Sequence, residues 1–229
     1  MKIWDKNKNI VPSFSEALGI EKGSIIQIAG SGGKTTLSYI LAKENSHLKV
    51  AVVTSTKRFA PEKDALMLKE GEKLDVAEIK GNFVEVGILD EIGKMGWLGD
   101  ENYSHLKAWA DIIVAEVDGS KRLPLKACAD YEPVLLEDAT HTLVVCGLSA
   151  LGKNIEDVCH RFNIVKDDIK EGTAVSEKEI TYLLEKFYKN RFSNTDITFV
   201  LNQADDENML ETALKILHKL NGFACKMAE

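Results

Sequence analysis

The sequence predicts an α/β protein, a three-layer α/β/α fold around a mainly parallel sheet. Three observations carry this. Six short apolar runs rich in β-branched residues recur along the chain, at 24–29, 50–54, 83–88, 112–117, 142–146 and 197–201. Helical patterns separate them, and a glycine loop joins the first run to its helix. Strands that are apolar throughout must be covered on both faces, which is how a parallel sheet reads in sequence.

The elements follow in chain order. The N-terminus, MKIWDKNKNI, alternates polar and apolar residues and lacks the apolar core of a signal peptide. Ser24 to Ala29 (SIIQIA) is the first buried strand. Leu37, Ile40 and Leu41 mark one face of a helix running to about Asn45, and Val50 to Thr54 (VAVVT) is the second strand. Together they form a βαβ unit, the elementary piece of a parallel sheet. The stretch 57–100 is less regular and contains Gly71, Gly81, Gly87, Gly93, Gly96 and Gly99. Substrate-facing loops or a β-hairpin are expected there. Further helices are expected near 101–109, 154–161, 176–190 and 206–219. The last shows a stripe of Leu210, Ala213, Leu214, Ile216 and Leu217 at helical spacing. No repeat, low-complexity tract or Pro/Gly-rich linker divides the chain, so one domain over 1–229 is expected, with 57–100 as an irregular insert.

Composition narrows the partners. The 229 residues are 45% hydrophobic and 28% charged, ordinary values for a soluble globular chain. The formal charge is -7 and no Lys/Arg-rich block occurs, which disfavours nucleic acid and anionic membranes as partners. No apolar run approaches the roughly 20 residues that span a bilayer. Cys128, Cys146, Cys159 and Cys225 form no C-x-x-C pair. They read as small buried hydrophobes, and the reducing cytoplasm is the expected compartment.

Gly30-Ser31-Gly32-Gly33-Lys34-Thr35-Thr36 has the residue types of a phosphate-binding loop. Such a cradle needs backbone N–H groups aimed inward, a cation and a hydroxyl for Mg²⁺. The glycines permit the required backbone angles and close approach. The helix beginning near Lys34 offers unpaired N–H groups and the positive end of its dipole. Lys34 suits the β- and γ-phosphates, Thr35 the Mg²⁺ and Thr36 the α-phosphate. The common pattern G-x-x-x-x-G-K-[ST] would need glycine at position 28, where Ile28 stands. The loop is therefore a compact variant, and the expected fold is a P-loop NTPase.

A second strand end supplies carboxylates. In DIIVAEVDGS (111–120), Glu116 and Asp118 are two residues apart and share one side of the strand. A carboxylate there binds Mg²⁺ directly or through water, and either residue qualifies. The plainer alternative is a polar strand end turning at Gly119. Lys121, Arg122 and Lys126 follow, able to neutralise an anionic ligand or to form a solvated basic loop.

Near the C-terminus, ITFVLNQAD (197–205) places Asn202 and Asp205 where GTP-binding proteins carry N-K-x-D. The Asp of that motif reads guanine, whereas Asp205 can equally cap the helix that follows. ATP or GTP, with Mg²⁺, is the expected ligand. Thr54, Ser55, Thr56 and Lys57 end the second strand on the ligand side. His141 suits either a core or a functional role, and His160-Arg161 falls in a helical stretch, where a solvated surface is the plainer reading. No Ser-His-Asp or Cys-His constellation stands out.

These residues together resemble the YqeC family, accessory proteins of selenium-dependent molybdenum hydroxylases. The matching pieces are GSGGKTTL (30–37), TSTKRFAP (54–61), EVDGSKRLPLKACADYEPVL (116–135), ATHTLVVCGLSALGK (139–153), CHR (159–161) and LNQAD (201–205). Gln203 departs from the lysine that members often carry there, which weakens guanine selection, and Val117 replaces a more usual alanine. The resemblance implies a P-loop nucleotide-binding protein whose partner is a molybdenum hydroxylase or its cofactor. The loop and the E-x-D-G-S string also look like the ATPase domain of Mur-type ligases, in which the Glu matching Glu116 holds Mg²⁺. The expected activity is nucleoside-triphosphate hydrolysis or transfer, with Lys34, Glu116 and Asp118 as catalytic candidates. A nucleotide-gated chaperone without turnover and a small-molecule kinase or ligase are the alternatives.

Overall fold

Strand β2 (Ile25–Gly30) sits in the middle of the sheet, and its sequence explains why. Every residue after Ile25 is buried, so both faces must be covered. The computed structural model describes residues 1–61, 65–189 and 196–227. Over these the elements run β1 (Lys2–Trp4), α1 (Phe14–Leu18), β2, α2 (Lys34–Glu44), β3 (Val50–Thr54), β4 (Arg58–Phe59), β5 (Ala65–Leu68), β6 (Phe83–Leu89), β7 (Lys94–Gly96), α3 (Asp100–Trp109) and β8 (Ile112–Glu116). The second half adds β9 (Leu125–Lys126), β10 (His141–Gly147), α4 (Ile155–Val158), β11 (Cys159–His160), α5 (Glu177–Leu184), β12 (Ile197–Asn202), α6 (Glu207–Leu217) and β13 (Gly222–Lys226).

The strand order is β1-β13-β12-β10-β2-β8-β3-β6-β7-β4, with β5 also paired to β6. From β13 through β6 every pairing is parallel, and only β1, β7 and β4 pair antiparallel. The three-layer α/β/α fold with a mainly parallel sheet is thus what the chain adopts. Alternation sets the layers. Ile26, Ile28, Val50, Val52, Ile112 and Val114 pack toward Leu37 and Leu41 of α2. Ala29, Ala51, Val53, Ile113 and Ala115 face the opposite core, with Leu106 of α3, Ile180 of α5 and Ala213 of α6. Leu37 and Leu41 are fully buried, and truncating either to alanine costs about 2–5 kcal/mol.

The crossover pattern leaves β2 between β10 on one side and β8 on the other. Strand order reverses there, and the carboxyl ends of these strands open the crevice where α/β sheets bind ligands. Within 57–100, β6 returns antiparallel as β7, and β4 and β5 pair with these two strands.

Two expectations need correction. The stretch 154–161 is a single helical turn, α4, followed by extended chain, because Cys159 and His160 pair with Leu125 and Lys126. The helix at 176–190 starts on a capping box between Ser176 and Glu179, and after Leu184 it widens to a π-helical segment through Lys189. Asn190 lies outside the described residues. Strands β1 and β13, which the sequence patterns did not announce, add one edge to the sheet, where Lys2, Ile3 and Trp4 pair antiparallel with Lys226, Cys225 and Ala224. Among the described residues no helix is long and apolar enough to cross a membrane.

Candidate functional site: a glycine loop at the sheet's switch point

The loop from Gly30 to Gly33 is held by the ends of three neighbouring strands. Ser31 donates its N–H to the Val145 carbonyl (2.8 Å) and its hydroxyl to the Pro124 carbonyl (2.8 Å). A Cβ on Gly32 would stand 2.5 Å from the Gly147 backbone nitrogen, so the loop touches the end of β10 backbone to backbone. Gly33 has φ +134°, and a Cβ there would meet Asn202 Nδ2 at 2.5 Å. Both positions exclude any larger residue. Gly33 is also the N-cap of α2 and offers no side chain to its first turn. The N–H groups at that helix end, Thr35 and the exposed Thr36 among its residues, are available to an anion.

The two carboxylates of β8 and its following turn, treated alike in the sequence, have separate surroundings. Glu116 Oε1 accepts the Thr35 hydroxyl at 2.8 Å, so hydroxyl and carboxylate converge at the start of α2. Asp118 is turned into the protein, its side chain 0% exposed. It accepts the Gly30 N–H (3.0 Å) and pairs with Lys34 Nζ (3.1 Å) and Lys126 Nζ (3.0 Å). Lys34 also donates to the Gly30 carbonyl at 2.6 Å. Lys126, expected in a basic loop, is fully buried and continues the chain of charges to Glu132 (2.9 Å), which also pairs with Arg161. Burial would raise the Glu132 carboxyl, but the hydrogen bonds from Lys126 and Arg161 prevail and hold it below the usual carboxylate range.

Asn202 faces the loop from β12. Its Nδ2 donates to the Gly32 carbonyl (2.9 Å) and its Oδ1 accepts from Met227 N–H (3.3 Å). Asp205 is exposed and borders a cavity of about 280 Å³ with Lys2, Trp4, Leu210 and Lys226. It does not cap α6. Asp206 does, accepting from the Met209 N–H at 2.8 Å.

The remaining candidates divide. Thr54 donates to the Glu116 carbonyl (3.1 Å), Ser55 to the Val134 carbonyl (2.6 Å), and Lys57 pairs with Asp90 (2.8 Å). Thr56 donates its N–H to the Thr54 hydroxyl (3.2 Å). Lys121 and Arg122 follow Asp118 with positive φ, and Arg122 lies over the Phe59 ring. His141 is at the far end of β10, bonded to Thr140 and the Leu18 carbonyl, and belongs to the framework. His160 is on strand β11 rather than a helix. Burial first, then Arg161, Lys126 and Lys121, lowers its pKa below the ordinary 6.5. Arg161 also meets the Tyr131 hydroxyl (3.1 Å). All four cysteines are free and buried, and burial pushes the thiols of Cys146 and Cys159 up to about 12.

Three residues near the site were not singled out in the sequence. Glu85 is 1% exposed on β6, accepts from Tyr39 Oη (2.6 Å) and pairs with Arg58. Arg58 Nε also lies 3.7 Å from Glu116 Oε1. A charged residue inside the apolar run FVEVGI was the available signal for Glu85.

Comparison with known proteins adds the family. The family model described as YqeC protein matches residues 26–163. A relative from Escherichia coli (strain K12), the uncharacterized protein YqeC, is 28% identical over 160 residues, covering 66% of this chain and 62% of its own length. The match therefore spans less than two thirds of that relative. Among solved structures, FlhF complexed with GMPPNP/Mg(2+) is similar at 15% identity and TM-score 0.43, covering 89% of this chain and 64% of that one. The family model spans more than half of the chain and takes in the glycine loop, Glu116, Asp118 and Arg161: the chain belongs to the YqeC family.

Proposed function

We propose that this protein binds ATP or GTP with Mg²⁺ at the Gly30–Thr36 loop and acts as an accessory nucleoside triphosphatase in maturation of a selenium-dependent molybdenum hydroxylase. The observation that carries the nucleotide reading is the meeting of Thr35 and Glu116, 2.8 Å apart, at a helix N-terminus without a capping side chain. The hydroxylase as partner rests on the family resemblance alone.

The donor set fits the metal. One hydroxyl and one carboxylate are hard oxygen ligands, and Mg²⁺ completes its shell with water and phosphate oxygens. Thr35 and Glu116 would hold the cation, which when bound supplies charge neutralisation between the β- and γ-phosphates. Lys34, whose ammonium donates to the Gly30 carbonyl and pairs with Asp118, would turn to the phosphates when nucleotide binds, with Asp118 positioning it. The loop N–H groups and the α2 dipole stabilise the phosphate charge. Asn202 holds the loop, and Asp205 is the candidate base reader.

One observation favours a second reading, a nucleotide-gated binding module with little turnover. Glu116 accepts from Thr35 with the Arg58 charge 3.7 Å away, and Asp118 pairs with two lysines, so both carboxylates are held beside cations or donors that disfavour a role as base for water. Thermal unfolding with each nucleotide, with and without Mg²⁺, tests the nucleotide reading. Ligand at a hundredfold excess over Kd adds about 2.7 kcal/mol, or about 5–11 °C for a chain of this size. No Mg²⁺-dependent shift with either nucleotide would defeat it. Phosphate release measured on the bound complex then separates hydrolase from module.

A further inference from the structure

Arg58 stands where neither the glycine loop nor the β8 carboxylates require it. Its side chain is 16% exposed and lies between two buried acids, paired with Glu85 and 3.7 Å by Nε from Glu116 Oε1. That distance is too long for a hydrogen bond, and Nε is buried with no acceptor among the described residues. The same Glu116 oxygen accepts the Thr35 hydroxyl. The guanidinium is therefore one carboxylate oxygen away from the first turn of α2. Glu85, fixed by Tyr39 at 2.6 Å, holds the arginine from behind.

We propose that Arg58 is a specificity-determining residue through which the site distinguishes a nucleoside triphosphate from a diphosphate. The proposal rests on the reading of the loop as a nucleotide site. Once Glu116 serves a divalent cation, Arg58 keeps Glu85 as its partner and directs its unsatisfied Nε to the terminal phosphate. A planar guanidinium suits this task because it presents donors in a fixed fork and stays charged at all working pH values. Glu85 is the positioning residue. Its burial, with a second buried acid beside it, makes a cation at this point obligatory, and it keeps the arginine from turning to solvent.

The test is calorimetric titration of Mg²⁺ with the β,γ-imido triphosphates and the diphosphates of adenosine and guanosine. The wild-type protein is expected to prefer the triphosphate by about tenfold or more, the scale of one charge-assisted hydrogen bond. Arg58→Gln is expected to lose that preference while its diphosphate affinity stays within about threefold, and Arg58→Lys to recover part of it. Because Arg58→Gln leaves Glu85 with an uncompensated charge, the double variant Arg58→Gln/Glu85→Gln is measured alongside, with the same loss expected. An arginine that only neutralised Glu85 would leave the discrimination unchanged in the double variant, and that result overturns the proposal. Equal wild-type affinity for triphosphate and diphosphate also overturns it, while leaving the nucleotide site intact. A wild-type protein that binds none of the four ligands refutes the site itself.

Discussion

Replacing Asp118 by asparagine keeps the shape of the side chain and removes its charge. In the native protein this carboxylate is 0% exposed and serves Lys34 at 3.1 Å, Lys126 at 3.0 Å and the Gly30 N–H at 3.0 Å. Lys126 is itself fully buried, and Glu132, 2.9 Å away and shared with Arg161, would be its remaining acidic partner. Removing one member of a buried ion pair costs about 3–5 kcal/mol, because the charge left behind is not resolvated. For a chain of this size each kcal/mol lowers the melting temperature by about 2–4 °C. Asp118→Asn is therefore expected to melt about 6–20 °C below the wild type. Glu116→Gln retains an acceptor for Thr35 and leaves Arg58 paired with Glu85, so it is expected to melt close to wild type but to lose the Mg²⁺ dependence of nucleotide binding. Differential scanning calorimetry and a Mg²⁺ titration read the two effects separately. An Asp118→Asn protein that melts within about 2 °C of wild type and has lost its Mg²⁺ dependence would show that Asp118 is a metal ligand, and the assignment of roles would be wrong.

Other consequences are equally direct. Gly33→Ala forces a Cβ to 2.5 Å from Asn202 Nδ2 at a φ of +134°; the strain, about 1–3 kcal/mol, should lower the melting temperature and weaken nucleotide binding in a titration. Asp205→Asn should weaken GTP binding and leave ATP binding unchanged; equal effects on both would remove Asp205 as a base reader. The lowered pKa of His160 means that the unfolded chain takes up its proton first as pH falls. Its contribution to stability is complete above the ordinary value of about 6.5 and is lost below it, so urea denaturation of His160→Gln should show a flatter pH dependence between about pH 7 and 5. With Cys128 raised to about 11 and Cys146 and Cys159 to about 12 by burial, the native protein should resist thiol-specific reagents until it unfolds; rapid labelling of the native state would contradict the packing.

The parallel sheet was legible because strands buried on both faces announce themselves as continuous apolar runs, and the glycine loop because Lys34, Thr35 and the preceding glycines have few other reasons to stand together. What sequence spacing did not show was direction. Glu116 and Asp118 are two residues apart, yet one meets Thr35 and the other is enclosed by lysines. Lys126 looked like one of three loop cations and is a buried charge. Its partner Glu132 is close in sequence, whereas Arg161 arrives through the β9–β11 pairing, which two-residue strands do not reveal. Arg58 and Glu85 were hidden for a related reason: a buried pair 27 residues apart is a property of the hairpin insert, not of any local pattern.

The central claim is that the Gly30–Thr36 loop binds a nucleoside triphosphate through Lys34 and a cation held by Thr35 and Glu116. Calorimetric titration of ATP and of GTP into wild-type protein and Lys34→Ala, each with Mg²⁺ and with chelator, tests it most directly. The account predicts binding by the wild type that requires Mg²⁺ and is abolished in Lys34→Ala. Equal binding by the two proteins, or no binding of either nucleotide by the wild type, would contradict it.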